Sequence, residues 1–180
     1  MWKKKAYIMI GPSGSGKSTV RKALVAKYEA HDTRTFSLDD CRIKFYLDNA
    51  PGYGETGEGL TEGDLYGKAF DFAKGKEFDA FVQSEWAKAR EARVVIVDNV
   101  HGTRKSRKPW VDALKKDKFH ITMVQIQTPL DVILERQNTR GDKKVPEFVV
   151  KQMYMRQEEA MVGSECDSLL VIDGTKPIHV

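Results

Sequence analysis

The sequence predicts an α/β fold: a five-stranded parallel sheet held in a three-layer sandwich between helices. Two observations carry this. Apolar runs of strand length alternate with segments of helical periodicity along all 180 residues. Several of those runs are continuously apolar, as strands buried on both faces are, instead of alternating apolar with polar. A chain of this length fits one domain, spanning 1–180.

Taken in order, Ala6–Ile10 is the first strand. Beyond the glycine-rich Gly11–Gly16, residues Val20, Ala23, Leu24 and Tyr28 keep i, i+3, i+4 spacing and predict a helix. Thr35–Leu38 reads as the second strand, and Asp39-Asp40-Cys41-Arg42 opens the helix after it. Asn49–Gly63, rich in glycine and containing Pro51, reads as a long surface loop of the kind that often carries function. Phe70, Lys74, Phe78, Phe81, Val82, Trp86 and Ala89 form one long helical face, with Gly67 and Gly75 as weak points. Aromatic residues at that spacing are expected in the core.

Val94–Val97 is the third strand, and Trp110, Val111 and Leu114 face inward on the helix that follows. Near its start, Arg104-Lys105-Ser106-Arg107-Lys108 is a basic cluster. A solvated helix start is its default reading, and contact with a polynucleotide backbone is the alternative. Ile121–Ile126 is the fourth strand, followed by a helix facing inward through Val132, Ile133 and Leu134. Pro146 suits the first turn of a last helix whose apolar face holds Val149, Val150, Met153, Tyr154, Ala160 and Met161. Leu169–Ile172 closes the sheet.

Composition narrows the function classes. No apolar run approaches the roughly 18–20 residues that span a bilayer, and nothing after the basic Met1–Lys5 has the about 7–15 apolar residues of a secretory signal. A cytoplasmic protein without a membrane partner is therefore expected. Cys41 and Cys166 form no metal-binding pair and stand too far apart in sequence to suggest a disulfide framework. The net charge of +4 permits a nucleic-acid partner without demanding one.

The chemistry concentrates where strands end, which is where open parallel sheets bind ligands. Gly11-Pro12-Ser13-Gly14-Ser15-Gly16-Lys17-Ser18 matches G-x-x-x-x-G-K-[ST], between a strand and a helix as that motif requires. Its glycines let backbone N–H groups turn in around phosphate oxygens, and the helix N-terminus adds positive potential. Lys17 is placed to reach the β- and γ-phosphates, and the Ser18 hydroxyl to bind Mg²⁺. Asp39 and Asp40 can cap their helix, or one can take the proton of an acceptor hydroxyl. Arg42, one turn on from Asp39, is placed to fork onto a substrate phosphate. Asp98, directly after the third strand, fits the acidic site that holds Mg²⁺ or its waters. His101 nearby is expected to be a satisfied core or surface histidine before a catalytic one. Across 136–146, a lid over the nucleotide, Arg136 and Arg140 can stabilise charge on the transferred phosphate, or complement a helix dipole. Val171-Ile172-Asp173-Gly174-Thr175 lacks the first aspartate of the D-x-D-G-T phosphatase motif.

Together these residues resemble the kinase domain of the bacteriophage 5′-polynucleotide kinase family, a P-loop kinase. The resemblance runs over nearly the whole chain. It rests on Gly11–Thr19, on Asp39-Asp40-Cys41-Arg42, on Asp98, and most specifically on Arg136…Arg140-Gly141…Lys144-Val145-Pro146…Met153-Tyr154. It implies that Gly11–Thr19 with Arg136 hold ATP, and that Ser18 and Asp98 serve Mg²⁺. Asp39 is then the general base, Arg42 binds the phosphate on the 3′ side of the terminal nucleotide, and Lys17 and Arg140 stabilise the transferring phosphate. The partner so implied is the 5′-hydroxyl end of DNA or RNA. Two segments depart from the family, Asn99-Val100-His101-Gly102 and the 49–63 loop. The closing strand and turn are similar to those of nucleoside-monophosphate kinases, where the turn lies beside the adenine.

Two other readings stay open. One is a kinase for another hydroxyl: a nucleoside, a sugar or sugar nucleotide, or a hydroxylated base in DNA. The other is a nucleotide-dependent switch or ATPase. The chain has no N-K-x-D guanine motif, and hydrolysis alone would not require Asp39 with Arg42.

Overall fold

A computed structural model describes residues 3–50, 61–141, 144–178 and 180. The strands are β1 (Lys5–Ile10), β2 (Thr33–Phe36), β3 (Val94–Val97), β4 (His120–Gln127) and β5 (Ser168–Asp173). The helices are α1 (Lys17–Lys27), α2 (Leu38–Asn49), α3 (Glu62–Phe72), α4 (Gly75–Ala89), α5 (Arg104–Lys116), α6 (Leu130–Asn138) and α7 (Glu147–Met155). All five strands pair in parallel, in the order β2-β3-β1-β4-β5. The expected five-stranded α/β sandwich is therefore the observed one.

Strand β1 lies at the centre and its residues alternate between two cores. Ala6, Ile8 and Ile10 face the side packed by Phe45 of α2, by Phe78, Val82 and Trp86 of α4, and by Leu114 of α5. Tyr7 and Met9 face the opposite side, with Val20 and Leu24 of α1. Burial on both faces explains why the central strands read as unbroken apolar runs. Edge strand β5 leaves Leu169 and Val171 exposed, so its alternation is clearer. No described helix is long and apolar enough to cross a membrane.

Boundaries moved for local reasons. Ser37 caps α2 by accepting a hydrogen bond from the Asp40 N–H at 2.9 Å, so Leu38 starts the helix and does not end β2. The aromatic face expected as one long helix is two. The chain leaves helical geometry at Ala73 and Lys74, and Gly75 takes a φ of 83° at the start of α4. Phe78, Val82 and Trp86 are buried as expected, whereas Phe70 on α3 is 48% exposed. Helix α7 ends at Met155, so Ala160 and Met161 lie beyond it, and Pro146 is its cap and not its first residue. Of the 49–63 segment, Asn49 ends α2 and Thr61 caps α3; 51–60 lies outside the described residues.

The basic cluster begins α5, as the default reading had it, with Thr103 and Ser106 in a reciprocal cap. It is not uniformly solvated. Arg107 is fully buried and forks onto Glu165, Nε to Oε1 at 2.6 Å and Nη2 to Oε2 at 3.1 Å. Its Nη1 also donates to the carbonyls of His101 at 2.9 Å and Glu158 at 3.1 Å. Arg107 thus ties the loop after β3 to the chain between α7 and β5.

Candidate active site

The glycine-rich loop joins the central strand to α1 at the carboxyl edge of the sheet. Gly14 and Gly16 have φ of 90° and 105°, a region that side chains other than glycine rarely enter. At Gly14 a Cβ would also stand 2.8 Å from Gln137 Nε2. Gly16 is the N-cap of α1, and no side chain caps that helix, so its first-turn amides keep their anion-binding character. The buried Ser15 Oγ has no hydrogen-bond partner among the described residues. These features fit a phosphate cradle.

Lys17 Nζ folds back onto its own loop, donating to the carbonyls of Gly11 at 2.9 Å and Pro12 at 2.8 Å. Burial pushes its pKa down to about 8, with Asp98 and Asp39 opposing the fall and Arg140 adding to it. Ser18 and Thr19 start α1 with their side chains exposed. Asp98 is largely buried, and burial raises its carboxyl above the usual range, opposed by Lys17 and Arg21. Arg21, one turn beyond Lys17, lies 3.3 Å from Asp98 and 3.5 Å from Asp40. The structure therefore splits the aspartate pair: Asp40 faces Arg21 and α1, and Asp39 faces the other way.

Asp39 Oδ1 accepts a hydrogen bond from Arg42 Nη1 at 2.7 Å and a longer one from the Tyr66 hydroxyl at 3.4 Å. The Arg42 guanidinium also stacks over the Phe70 ring at 5.0 Å, which accounts for that ring's exposed position. Beside Arg42 opens a recess of about 470 Å³ between α2, α4 and α5, with Leu38, Phe78, Val82, Trp86 and Trp110 in its wall.

The 136–146 segment, in which 142–143 lies outside the described residues, approaches the loop from the other side. Arg140 Nη1 donates to Ser13 Oγ. Arg136 donates from Nη2 to the Gly174 carbonyl at 2.7 Å and from Nη1 to that of Gly14 at 3.4 Å. Buried Gln137 donates to Ser13 Oγ at 3.3 Å and accepts from the Val145 N–H at 3.1 Å. Pro146 starts α7 directly after. The turn after β5 meets the loop through Thr128, whose hydroxyl donates to the Ser15 carbonyl at 2.8 Å. A Cβ on Gly174 would stand 2.0 Å from that hydroxyl oxygen, so only glycine fits.

Every residue singled out from the sequence thus lies along the carboxyl edge of the sheet, around the loop. Arg21, Tyr66, Gln137 and Asn99 were not anticipated. Arg21 had a signal, since it stands four residues after Lys17 on the same helix face. Tyr66 and Gln137 had none, because their contacts are made only by the fold. His101 is a core histidine, as expected: 4% exposed, with Nδ1 at 3.2 Å from the Met9 carbonyl. Among the described residues no cluster of three or more His, Cys, Asp or Glu side chains could hold a metal.

Comparison with known proteins agrees with this geometry. The AAA_33 family model, an AAA domain, matches residues 7–160. The chain is similar in fold to Chaetomium thermophilum Kti12 in complex with ADP-AlF3, with TM-score 0.62, 16% identity, and 93% of this chain and 88% of that one covered. It is similar to a gluconokinase from Sinorhizobium meliloti 1021, with TM-score 0.55, 15% identity, and 98% and 86% covered. It also matches a chain of the Pnkp1/Rnl/Hen1 RNA repair complex, with TM-score 0.60 and 18% identity, over 87% of this chain and 44% of that one. At these identities the likeness is one of fold, and the phage polynucleotide kinase family is not singled out among the P-loop kinases. The chain belongs to the AAA_33 family of AAA domains and has a P-loop kinase-like, nucleotide-binding fold.

Proposed function

We propose that the protein transfers the γ-phosphoryl group of ATP to the 5′-hydroxyl end of a polynucleotide. The observation that carries the proposal is the 2.7 Å pair of Asp39 with Arg42, which sets a carboxylate and an anion-binding group together beside the phosphate loop. In the transfer, the acceptor oxygen forms a bond to the γ-phosphorus while the bond to the β–γ bridging oxygen breaks. Asp39 takes the hydroxyl proton, and ADP leaves with the bonding electrons. Lys17 and Arg140 face the charge spread over the transferring oxygens. Arg136 holds the lid to the loop. Arg42 exchanges its contact with Asp39 for the phosphate on the 3′ side of the terminal nucleotide.

The oxygen donors of Ser18 and Asp98 suit Mg²⁺, which would arrive bound to the nucleotide phosphates. When bound it neutralises charge on the β- and γ-phosphates. The recess supports a nucleotide acceptor. Its wall is mixed: Trp86, Trp110, Phe78 and Pro109 offer a face on which a flat base can pack, and Arg42, Asp79, Gln83 and Arg90 offer polar groups at the same recess. The likeness to a chain of an RNA repair complex is consistent with this acceptor class.

A second reading, a kinase for a small-molecule hydroxyl, draws on the likeness to the gluconokinase. Labelled ATP with a panel of 5′-hydroxyl oligonucleotides, nucleosides, sugars and modified DNA tests the two. Label at oligonucleotide 5′ ends is the expected result, and label on a sugar or an internal base overturns it. Asp39→Asn should abolish transfer while nearly preserving ATP affinity; a retained rate would remove Asp39 as the base. Arg42→Ala should chiefly harm acceptors carrying a 3′ phosphate.

A further inference from the structure

The segment that follows β3 departs from the family it otherwise resembles, and it makes an unusual set of contacts. β2 and β3 pair with Phe36 beside Val97, and the same offset carried past the strand ends puts Leu38 beside Asn99. There the Asn99 Oδ1 accepts the Leu38 backbone N–H at 2.8 Å. Leu38 is the first residue of α2, so this N–H has no partner within its own helix. Asn99 therefore caps, from the loop after β3, the turn that carries Asp39.

The orientation of the Asn99 amide is settled by its other neighbour. His101 Nδ1 lies 3.2 Å from the Met9 carbonyl, which can only accept, so Nδ1 carries the proton. In the neutral ring Nε2 is then an acceptor, and it lies 3.4 Å from Asn99 Nδ2, which can only donate. That leaves Oδ1, and not Nδ2, facing the Leu38 N–H. One protonation state satisfies all three contacts. Burial holds the imidazole neutral by pushing its pKa down to about 4; the Met9 bond opposes this, and the charges of Arg107 and Lys17 reinforce it. The ring also stands edge-on to Trp110, at 6.2 Å between centroids. His101 keeps a φ of 47°, a conformation uncommon outside glycine, and such outliers persist where surrounding contacts over-determine them.

We infer that Asn99 and His101 are positioning residues that fix the first turn of α2, and with it the Asp39 carboxylate, relative to the phosphate-loop strand. The chain of contacts runs from Met9 of β1 through His101 and Asn99 to Leu38. The inference rests on the reading of Asp39 as the base. Neither side chain touches the reacting atoms; both act on where Asp39 stands.

The test uses the full chain and a labelled 5′-hydroxyl oligonucleotide. Asn99→Leu should lower kcat about ten- to a hundred-fold, the scale on which catalytic groups respond to misplacement, with ATP affinity unchanged. In an Asp39→Asn background, where steady-state turnover is lost and the residual trace is read over long single-turnover incubations with enzyme in excess, the same substitution should cost nothing more, since no base remains to be misplaced. Additive losses overturn the inference, as does an equal fall in ATP affinity. Retention of activity by Asp39→Asn alone would instead refute the assignment of the base, so the two failures are told apart.

Asn99→Asp serves as the variant that keeps the cap. Its carboxylate can still accept the Leu38 N–H but turns an acceptor toward Nε2, so a proton must sit on Nε2, and keeping the Nδ1 bond to Met9 then requires the doubly protonated ring. Imidazole NMR should then show His101 titrating at or above the ordinary value of about 6.5. Titration still near 4 would overturn the assigned hydrogen-bond chain.

Discussion

Replacing Arg107 with Met tests how the loop after β3 is held in place. The guanidinium is fully buried and makes two hydrogen bonds to Glu165, at 2.6 and 3.1 Å. Hydrogen bonds to charged groups contribute about 1.5–3 kcal/mol each, and breaking a buried pair on one side costs about 3–5 kcal/mol. Arg107→Met keeps the bulk but strands the Glu165 carboxylate, so a loss of about 4 kcal/mol is expected. At the slope usual for chains of this size, Tm should fall by roughly 8–16 °C.

The pH dependence gives a second handle. Burial pushes the Glu165 carboxyl up, but its hydrogen bonds to Arg107 and to the Met161 N–H outweigh that and hold it below the usual range. A depressed carboxyl stabilises the fold above its unfolded pKa of about 4.3, and the gain is lost as pH falls through the folded pKa. Without Arg107, burial acts against a charged Glu165, so the gap between variant and parent should narrow as pH drops toward 4. Urea unfolding at pH 7 and pH 4 measures both effects. A variant within about 1 kcal/mol of the parent at pH 7, or a gap that widens in acid, refutes the reasoning. Adding Glu165→Gln to Arg107→Met should recover part of the loss, since it removes the stranded charge.

Other consequences can be checked separately. Lys17 has a pKa near 8, and phosphate oxygens around it should raise that value. ATP binding above pH 8 should therefore take up a proton and weaken as pH rises further; calorimetry in two buffers of different ionisation enthalpy would show it, and buffer-independent heats would contradict it. Gly14→Ala puts a Cβ 2.8 Å from Gln137 Nε2 at a φ of 90°, and should cost about 1–2 kcal/mol of stability together with nucleotide affinity. Ser37→Ala removes the cap on α2 and should cost about 1 kcal/mol in chemical denaturation. Ala113→Phe, which narrows the recess away from Asp39, should raise KM for an oligonucleotide and leave that for ATP unchanged; an unchanged oligonucleotide KM would separate the recess from the acceptor.

The strands and the loop were legible in the sequence because their signals are local. Val94–Val97 is apolar throughout because β3 lies between two strands and two helical layers, and Gly14 and Gly16 of the loop mark positions of positive φ. What escaped was set by contacts across the fold. Arg107 looks like any member of a basic cluster until Glu165, far along the chain, supplies its partner. Leu38 is as good a strand residue as a helix residue, and the cap donated by Ser37 decided between them. The adjacent aspartates read alike in sequence; Arg21 on one side and Arg42 on the other separate them. Asn99 stood out only as part of a departure from the family, because its contacts, to the Leu38 N–H and to His101, are made across the fold.

The strand order has a consequence for how the chain comes to be made. β1 is synthesised before both of its neighbours, β3 and β4, so Ala6 waits for Val95 on one side and Ile121 on the other. Pairings across such sequence distances form slowly. On the ribosome, the strand that leads into the nucleotide loop has neither neighbour until the chain through Val97 has emerged. Nucleotide binding then reports on the last assembly events and not the first, and a stalled nascent chain ending before β4 would carry the motif without the site.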